Sequence, residues 1–298
     1  MKRILAVALL LLMALPLYGC GKEKAASGGF RIVTSFYPVY IDVMNIAQGI
    51  DGVEVVNMTR PQTGCLHDYQ LTTEDMKTLE SADVFVVNGL GMESFLEKAM
   101  EARKDLKVIN ASETDRIQPI LEEDGTPNPH VWMSVTYAIE QVKAIAAQLA
   151  EADPAHEKEY KKNALDYVTK LSALRDEMHG QLDGLPQKEI VTFHEAFPYF
   201  AKEFGLHIAA VIEREPGTEP TPKELEETIA KIRELSVKAI FTEPQYAPSA
   251  AETIAGETGI AVYSLDPIVT GDADERARNA YIEAMERNAE TLLKALGQ

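Results

Sequence analysis

The sequence carries only two cysteines in 298 residues, one tryptophan, and 29 lysines and arginines against 47 aspartates and glutamates. With Cys20 and Cys65 the only thiols, and Cys20 a candidate for modification, no disulfide framework is available. The body of the protein must therefore be held by its apolar core. The formal charge of −18 disfavours nucleic acid and anionic lipid as partners and suits a cationic ligand. No apolar run reaches the roughly 20 residues of a membrane span. Neither an H-E-x-x-H helix nor a G-x-S-x-G elbow occurs, so two signatures of hydrolytic chemistry are missing.

What is present begins at the N-terminus. Lys2 and Arg3 precede an unbroken apolar run of 12 residues, Ile4 to Leu15, which reads as an export signal over residues 1–19. The run closes on Leu17-Tyr18-Gly19-Cys20, which resembles a bacterial lipobox with Cys20 as the lipidated residue. Removing the signal leaves 279 residues and takes the formal charge to −20. Residues 20–29, rich in glycine, serine and lysine, read as a flexible tether. The expected location is the outer face of the cytoplasmic membrane or the periplasm, with the lipid as anchor.

The remainder alternates short Val/Ile/Phe-rich runs with longer amphipathic segments, the grammar of an α/β fold. Strands are expected at 31–36, 53–58, 83–88 and 107–109, and again at 189–193, 207–212, 239–242 and 261–264. Helices are expected at 39–48, 72–81, 93–102 and 135–151, then at 198–204, 222–235, 248–258 and 274–296. Between the two sets, Tyr160, Leu165, Val168, Leu171, Leu174 and Met178 recur at helical spacing, with Pro154 at the start and Gly184 beyond the end. The reading is two similar lobes, 30–153 and 185–298, each a small, mostly parallel sheet with flanking helices. One long backbone helix over 154–184, roughly 40 Å long, joins them.

Six histidines occur. His194 and Asp266 directly follow expected strands, and His67 lies in the loop after the second. His130 sits in the Pro-stiffened turn Pro127-Asn128-Pro129-His130. Ligands of open α/β sheets bind beyond the carboxyl ends of the strands, so these four residues, two from each half, converge on one cleft. Three imidazoles and a carboxylate form a four-coordinate set suited to Zn²⁺. His156, His179 and His207 are read as structural, and Cys65 as a bystander in the His67 loop, although a thiolate there is able to bind metal. Glu243, just past a strand, is the candidate to support an imidazole from behind.

Several segments together carry a family resemblance: 64–69 (GCLHDY), 84–93 (VFVVNGLGME), 128–132 (NPHVW), 192–206 (TFHEAFPYFAKEFGL), 241–245 (FTEPQ) and 263–267 (YSLDP). The chain resembles the ZnuA/TroA-like solute-binding lipoproteins of zinc and manganese ABC importers. That resemblance implies metal ligands at His67, His130, His194 and Asp266, and two lobes pinned by a backbone helix. It also implies a membrane permease with its cytoplasmic ATPase as partners, a monomeric receptor, and no enzyme activity. The chain departs from many zinc members in the stretch 110–129, which is short, acidic and free of histidine. Manganese-type relatives tend to place a carboxylate where this chain has His194, which favours zinc, with manganese the alternative ion. A secreted zinc hydrolase and an adhesin are the competing readings from other classes.

Overall fold

The computed structural model describes residues 29–212, 220–245 and 249–297. The export signal and Cys20 lie outside the described residues.

Two four-stranded sheets form the frame, and every strand pairing in both is parallel. The first holds β1 (Phe30–Thr34), β2 (Val53–Asn57), β3 (Val84–Val87) and β4 (Lys107–Asn110) in the order β2-β1-β3-β4. The second holds β5 (Glu189–Thr192), β6 (His207–Val211), β7 (Ala239–Thr242) and β8 (Ala261–Ser264) in the matching order β6-β5-β7-β8. Parallel neighbours require crossovers, and here these are helices that cover the sheets. Two interior strands are accordingly buried at every residue: β3, which reads VFVV, and β7, which reads AIFT. All strands of a sheet end at one edge, and the loops leaving that edge carry the residues of interest.

The helices are α1 (Tyr37–Ile46), α2 (Thr73–Glu80), α3 (Leu96–Ala102), α4 (Val135–Ala152), α5 (Glu157–Leu182), α6 (Pro198–Phe204), α7 (Pro222–Leu235), α8 (Ser249–Thr258) and α9 (Ala277–Leu296). Their ends follow local chemistry. Thr72 with Asp75 and Thr221 with Glu224 form reciprocal capping boxes at the starts of α2 and α7. Gly205, at φ 63°, turns the chain out of α6.

The long helix α5 begins three residues later than Pro154 suggests. Pro154–His156 forms a separate 3₁₀ turn, in which the Asp153 carboxylate takes the Tyr160 hydroxyl at 2.9 Å and lies 2.6 Å from His156 Nδ1. Its buried stripe is Tyr160, Ala164, Tyr167, Leu171, Leu174, Met178 and Leu182. Leu165 is 66% exposed, so Ala164 and Tyr167 take the core positions expected of Leu165 and Val168.

A single apolar core runs through both halves, from Val84 and Phe85 under the first sheet through Leu171 of α5 to Phe241 and Leu292. A smaller cluster, including Val191, Ile240 and Ile254, fills the far face of the second sheet. Helix α9 follows the second sheet in sequence yet packs on α1 and α5. There Asn45 Nδ2 donates to the Arg278 carbonyl at 3.0 Å, and Arg278 Nε to the Met44 carbonyl at 3.2 Å. The loop leading into α9 touches the first half at Gly271, whose N–H donates to the Pro61 carbonyl at 2.9 Å. A Cβ there would lie 2.2 Å from the Tyr37 ring, so only glycine permits this approach. Two helices, rather than one, therefore tie the halves together.

Candidate metal centre

His67 follows β2 in a loop whose neighbour Leu66 is fully buried. The Leu66 side chain anchors the loop while its N–H points at Met92 Sδ, 3.4 Å away. His130 is placed by a denser set of contacts. Asn128 Oδ1 accepts from the His130 backbone N–H at 2.9 Å and faces its ring Nδ1 at 3.1 Å. An amide oxygen only accepts, so Nδ1 carries the ring proton and Nε2 keeps its lone pair. The preceding peptide is held as well: Asn88 Nδ2 donates to the Pro129 carbonyl at 2.9 Å, and Gln141 Nε2 donates to Asn88 Oδ1 at 2.9 Å. Buried Glu93 accepts from the N–H groups of Asn88 and Gly89 and from the Ser35 hydroxyl, at 2.7, 3.0 and 2.8 Å.

From the second half, His194 stands just beyond β5 and is 1% exposed. Its Nδ1 lies 3.5 Å from Glu243 Oε1, beyond the end of the adjacent β7. The other Glu243 oxygen accepts from Gln245 Nε2 at 2.8 Å. Tyr199 of α6 ties the halves beside the site, donating to the Asn128 carbonyl at 2.7 Å and accepting from the Ile120 N–H at 2.9 Å. The Trp132 ring, 5.2 Å from that of His130, donates to the Pro267 carbonyl at 2.9 Å.

The three imidazoles converge. The Nε2 atoms of His67 and His130 are 3.4 Å apart, and the His194 ring centre lies 4.9 Å from that of His130 and 6.3 Å from that of His67. Cys65, expected to stand aside, is drawn in: its Sγ is 3.4 Å from His130 Nε2. One donor atom from each of Cys65, His67, His130 and His194 lies within 4.8 Å of the others. The three histidines border a cleft of about 580 Å³, which Glu122, Asp124 and Glu195 also line.

Asp266 stands outside this group. Its Oδ1 accepts the Ile268 N–H at 2.8 Å and its Oδ2 is 3.7 Å from an Arg287 nitrogen. Ile268 has φ 63°, a left-handed conformation unusual for a β-branched residue. The Asp266 carboxylate is therefore engaged in holding that turn. The three remaining histidines lie elsewhere, each beside an acid: His156 with Asp153, His179 with Asp183 and His207 with Glu189.

Burial sets the protonation of the cluster. The pKa of His130 is driven well below the ordinary imidazole value, first by desolvation and then by the nearby His194 and His67 rings. That of His67 is lowered by desolvation and by His194, with Asp68 opposing. Both rings thus favour the neutral form, which presents lone pairs to a metal. Sequence reasoning missed Asn128, Asn88, Gln141 and Glu93 as positioning groups, although Asn128 and Glu93 fall within the NPHVW and VFVVNGLGME segments.

Comparison with known proteins agrees in family and divides over the ion. The family model described as zinc-uptake complex component A, periplasmic (ZnuA) matches residues 32–295. A manganese-binding lipoprotein, MntA of Halalkalibacterium halodurans, is 28% identical over 304 residues, covering all of both chains. A zinc-binding lipoprotein, AdcA of Streptococcus pneumoniae, is 31% identical over 313 residues, covering all of this chain but 61% of that protein. Among solved structures, the solute-binding protein FpvC of Pseudomonas aeruginosa in complex with Mn²⁺ superposes with a TM-score of 0.80 at 34% identity, over 90% of this chain and 98% of that one. Two matched parallel sheets, an imidazole cluster at their facing edges and this breadth of similarity lead to one conclusion: the chain belongs to the ZnuA family of metal-binding solute receptors of ABC importers, which are not enzymes.

Proposed function

We propose that the protein is a lipid-anchored, extracytoplasmic zinc receptor, which captures one ion with His67, His130 and His194 and delivers it to an ABC permease driven by a cytoplasmic ATPase. The observation that carries this reading is the convergence of three imidazoles from three separated loops, two of them with Nε2 atoms 3.4 Å apart. Imidazole donors suit zinc, whereas manganese prefers oxygen-rich shells. Glu243 behind His194 and Asn128 behind His130 are the carboxylate and carbonyl supports that metal-bound imidazoles use to fix their tautomer and orientation. No helix of the described residues is long and apolar enough to cross a membrane, which fits attachment through a lipid on Cys20.

Capture needs no covalent chemistry. The imidazoles replace the water around the ion, and their neutral forms are already favoured by burial. Because α5 and α9 both bridge the halves, release should proceed by small shifts and loop rearrangement rather than by wide hinge opening. Dialysing the full chain in detergent against equal Zn²⁺ and Mn²⁺ tests the assignment. One zinc per chain is expected, and stoichiometric manganese retained against zinc would overturn it.

A further inference from the structure

The geometry points to Cys65, not Asp266, as the fourth donor of the centre, making it a His₃Cys site for a thiophilic divalent cation. This rests on the metal-receptor reading and specifies its ligand set.

The distances carry the inference. Zn–N bonds of about 2.0–2.1 Å and a Zn–S bond of about 2.3 Å place two tetrahedral nitrogens about 3.4 Å apart, and sulfur about 3.6 Å from nitrogen. The protein sets His67 Nε2 and Cys65 Sγ each 3.4 Å from His130 Nε2. A direct hydrogen bond between two ring nitrogens would settle nearer about 3 Å, so the spacing of the imidazoles matches the edge of a coordination tetrahedron better. His130 Nε2 is the shared corner, and Asn128 already leaves its lone pair free to point there. His194 supplies the remaining donor within the same 4.8 Å group.

Cys65 reaches the site from the segment that presents His67. The side chain between them, Leu66, is fully buried in the apolar core, and a turn closed by the Tyr69 N–H on the Leu66 carbonyl at 3.2 Å fixes the loop around it. Asp266 is committed elsewhere, with one oxygen on the Ile268 N–H of the left-handed turn and the other facing Arg287. Recruiting it would break the first contact and release a strained backbone.

A thiolate changes which ions the site accepts. Cys65 loses its proton to solvent on coordination, and its sulfur keeps the electron pair that forms the metal bond. Soft sulfur with imidazole favours Zn²⁺ and Co²⁺ and disfavours Mn²⁺, which seeks carboxylate and water. The sequence therefore separates this chain from a three-histidine, one-carboxylate receptor at one residue.

Cobalt reports the ligands directly. The full chain in detergent, stripped of metal and titrated with Co²⁺ alone, is expected to take one ion with tetrahedral visible bands and a thiolate-to-cobalt charge-transfer band in the near ultraviolet. Cys65→Ser should abolish the charge-transfer band and weaken zinc binding more than about 100-fold, beyond the roughly 10–100-fold carried by supporting groups. Asp266→Asn, which keeps an oxygen for the Ile268 N–H, should leave the band in place. Far-ultraviolet circular dichroism confirms that each variant is folded. Cobalt bound without a sulfur band, or a band lost in Asp266→Asn and kept in Cys65→Ser, overturns the fourth-donor assignment while leaving the receptor reading intact. No stoichiometric cobalt or zinc on the unaltered chain overturns both.

Discussion

The two halves place a related pair of groups at the same point of the same topology and use it differently. In the first, Ser35 just beyond β1 meets the buried Glu93 from beyond the neighbouring β3, at 2.8 Å. In the second, His194 just beyond β5 meets the buried Glu243 from beyond the neighbouring β7, at 3.5 Å. The Glu93 carboxylate is also saturated by the N–H groups of Asn88 and Gly89, so its charge is spent on fixing a loop. Glu243 is held by one side-chain amide and faces an imidazole, so its charge is turned towards the His194 ring. A repeated architecture thus supplies two equivalent strand-end sites, and the residue at the end of the first strand decides whether the buried carboxylate meets a hydroxyl or an imidazole. The first half contributes to the metal cluster through other loops, those bearing Cys65, His67 and His130.

The contrast is broken most strongly by exchanging losses between the halves. His194→Ala should abolish stoichiometric zinc binding in equilibrium dialysis while leaving the urea midpoint of the metal-free protein nearly unchanged. Glu93→Ala should do the reverse. It strands two buried N–H groups and a hydroxyl, at about 1–3 kcal/mol for each unsatisfied group, and should lower stability by about 3 kcal/mol or more in urea denaturation. A Glu93→Ala protein of normal stability would remove the basis for calling that pair structural.

A smaller effect is expected at Glu243→Gln. Zinc affinity should fall about 10–100-fold, measured by competition with a chelator, with the fold unaffected. An unchanged affinity would mean that the second pair is no more functional than the first.

Proton linkage gives a further distinction. The folded pKa values of His67 and His130 lie below the unfolded value of about 6.5, so the unfolded chain binds more protons. Their contribution to stability is therefore full above about pH 6.5 and is lost as pH falls through the window below it. The urea midpoint of the metal-free protein should drop between pH 7.5 and 5, and His130→Gln should flatten that dependence. The smallest effect is predicted at exposed His207 beside Glu189. His207→Ala should leave zinc binding intact and shift stability by no more than about 0.5 kcal/mol.

The architecture was legible in the sequence because burial on both faces writes a strand as a continuous apolar run and a capped helix announces its start. β7, β8, α6 and α7 fall where composition and caps put them. The long helix was harder. Periodicity cannot tell Leu165 from Ala164, since both lie near the buried stripe, and only packing against α4 and α1 chooses the smaller residue. The convergence of His67, His130 and His194 was legible, because all three are strand-end or loop residues of an α/β sheet. The neighbour that completes the cluster, Cys65, was not. An Asp before Pro in a strand-end loop reads equally as ligand or turn former, and the structure commits Asp266 to the turn at Ile268. Cys65 depends on which way a loop side chain points, which is fixed by burial of Leu66 and by nothing local to the cysteine.

Where one zinc ion sits decides whether the histidine cluster is the binding site. Crystals of the protein grown with zinc and measured on both sides of the zinc absorption edge locate it directly. A single strong anomalous peak is predicted within bonding distance of His67, His130 and His194, with Glu243 behind His194. A peak elsewhere, at the Glu122 and Asp124 lining of the cleft or at the exposed His207, with the three-histidine cluster empty, would contradict it.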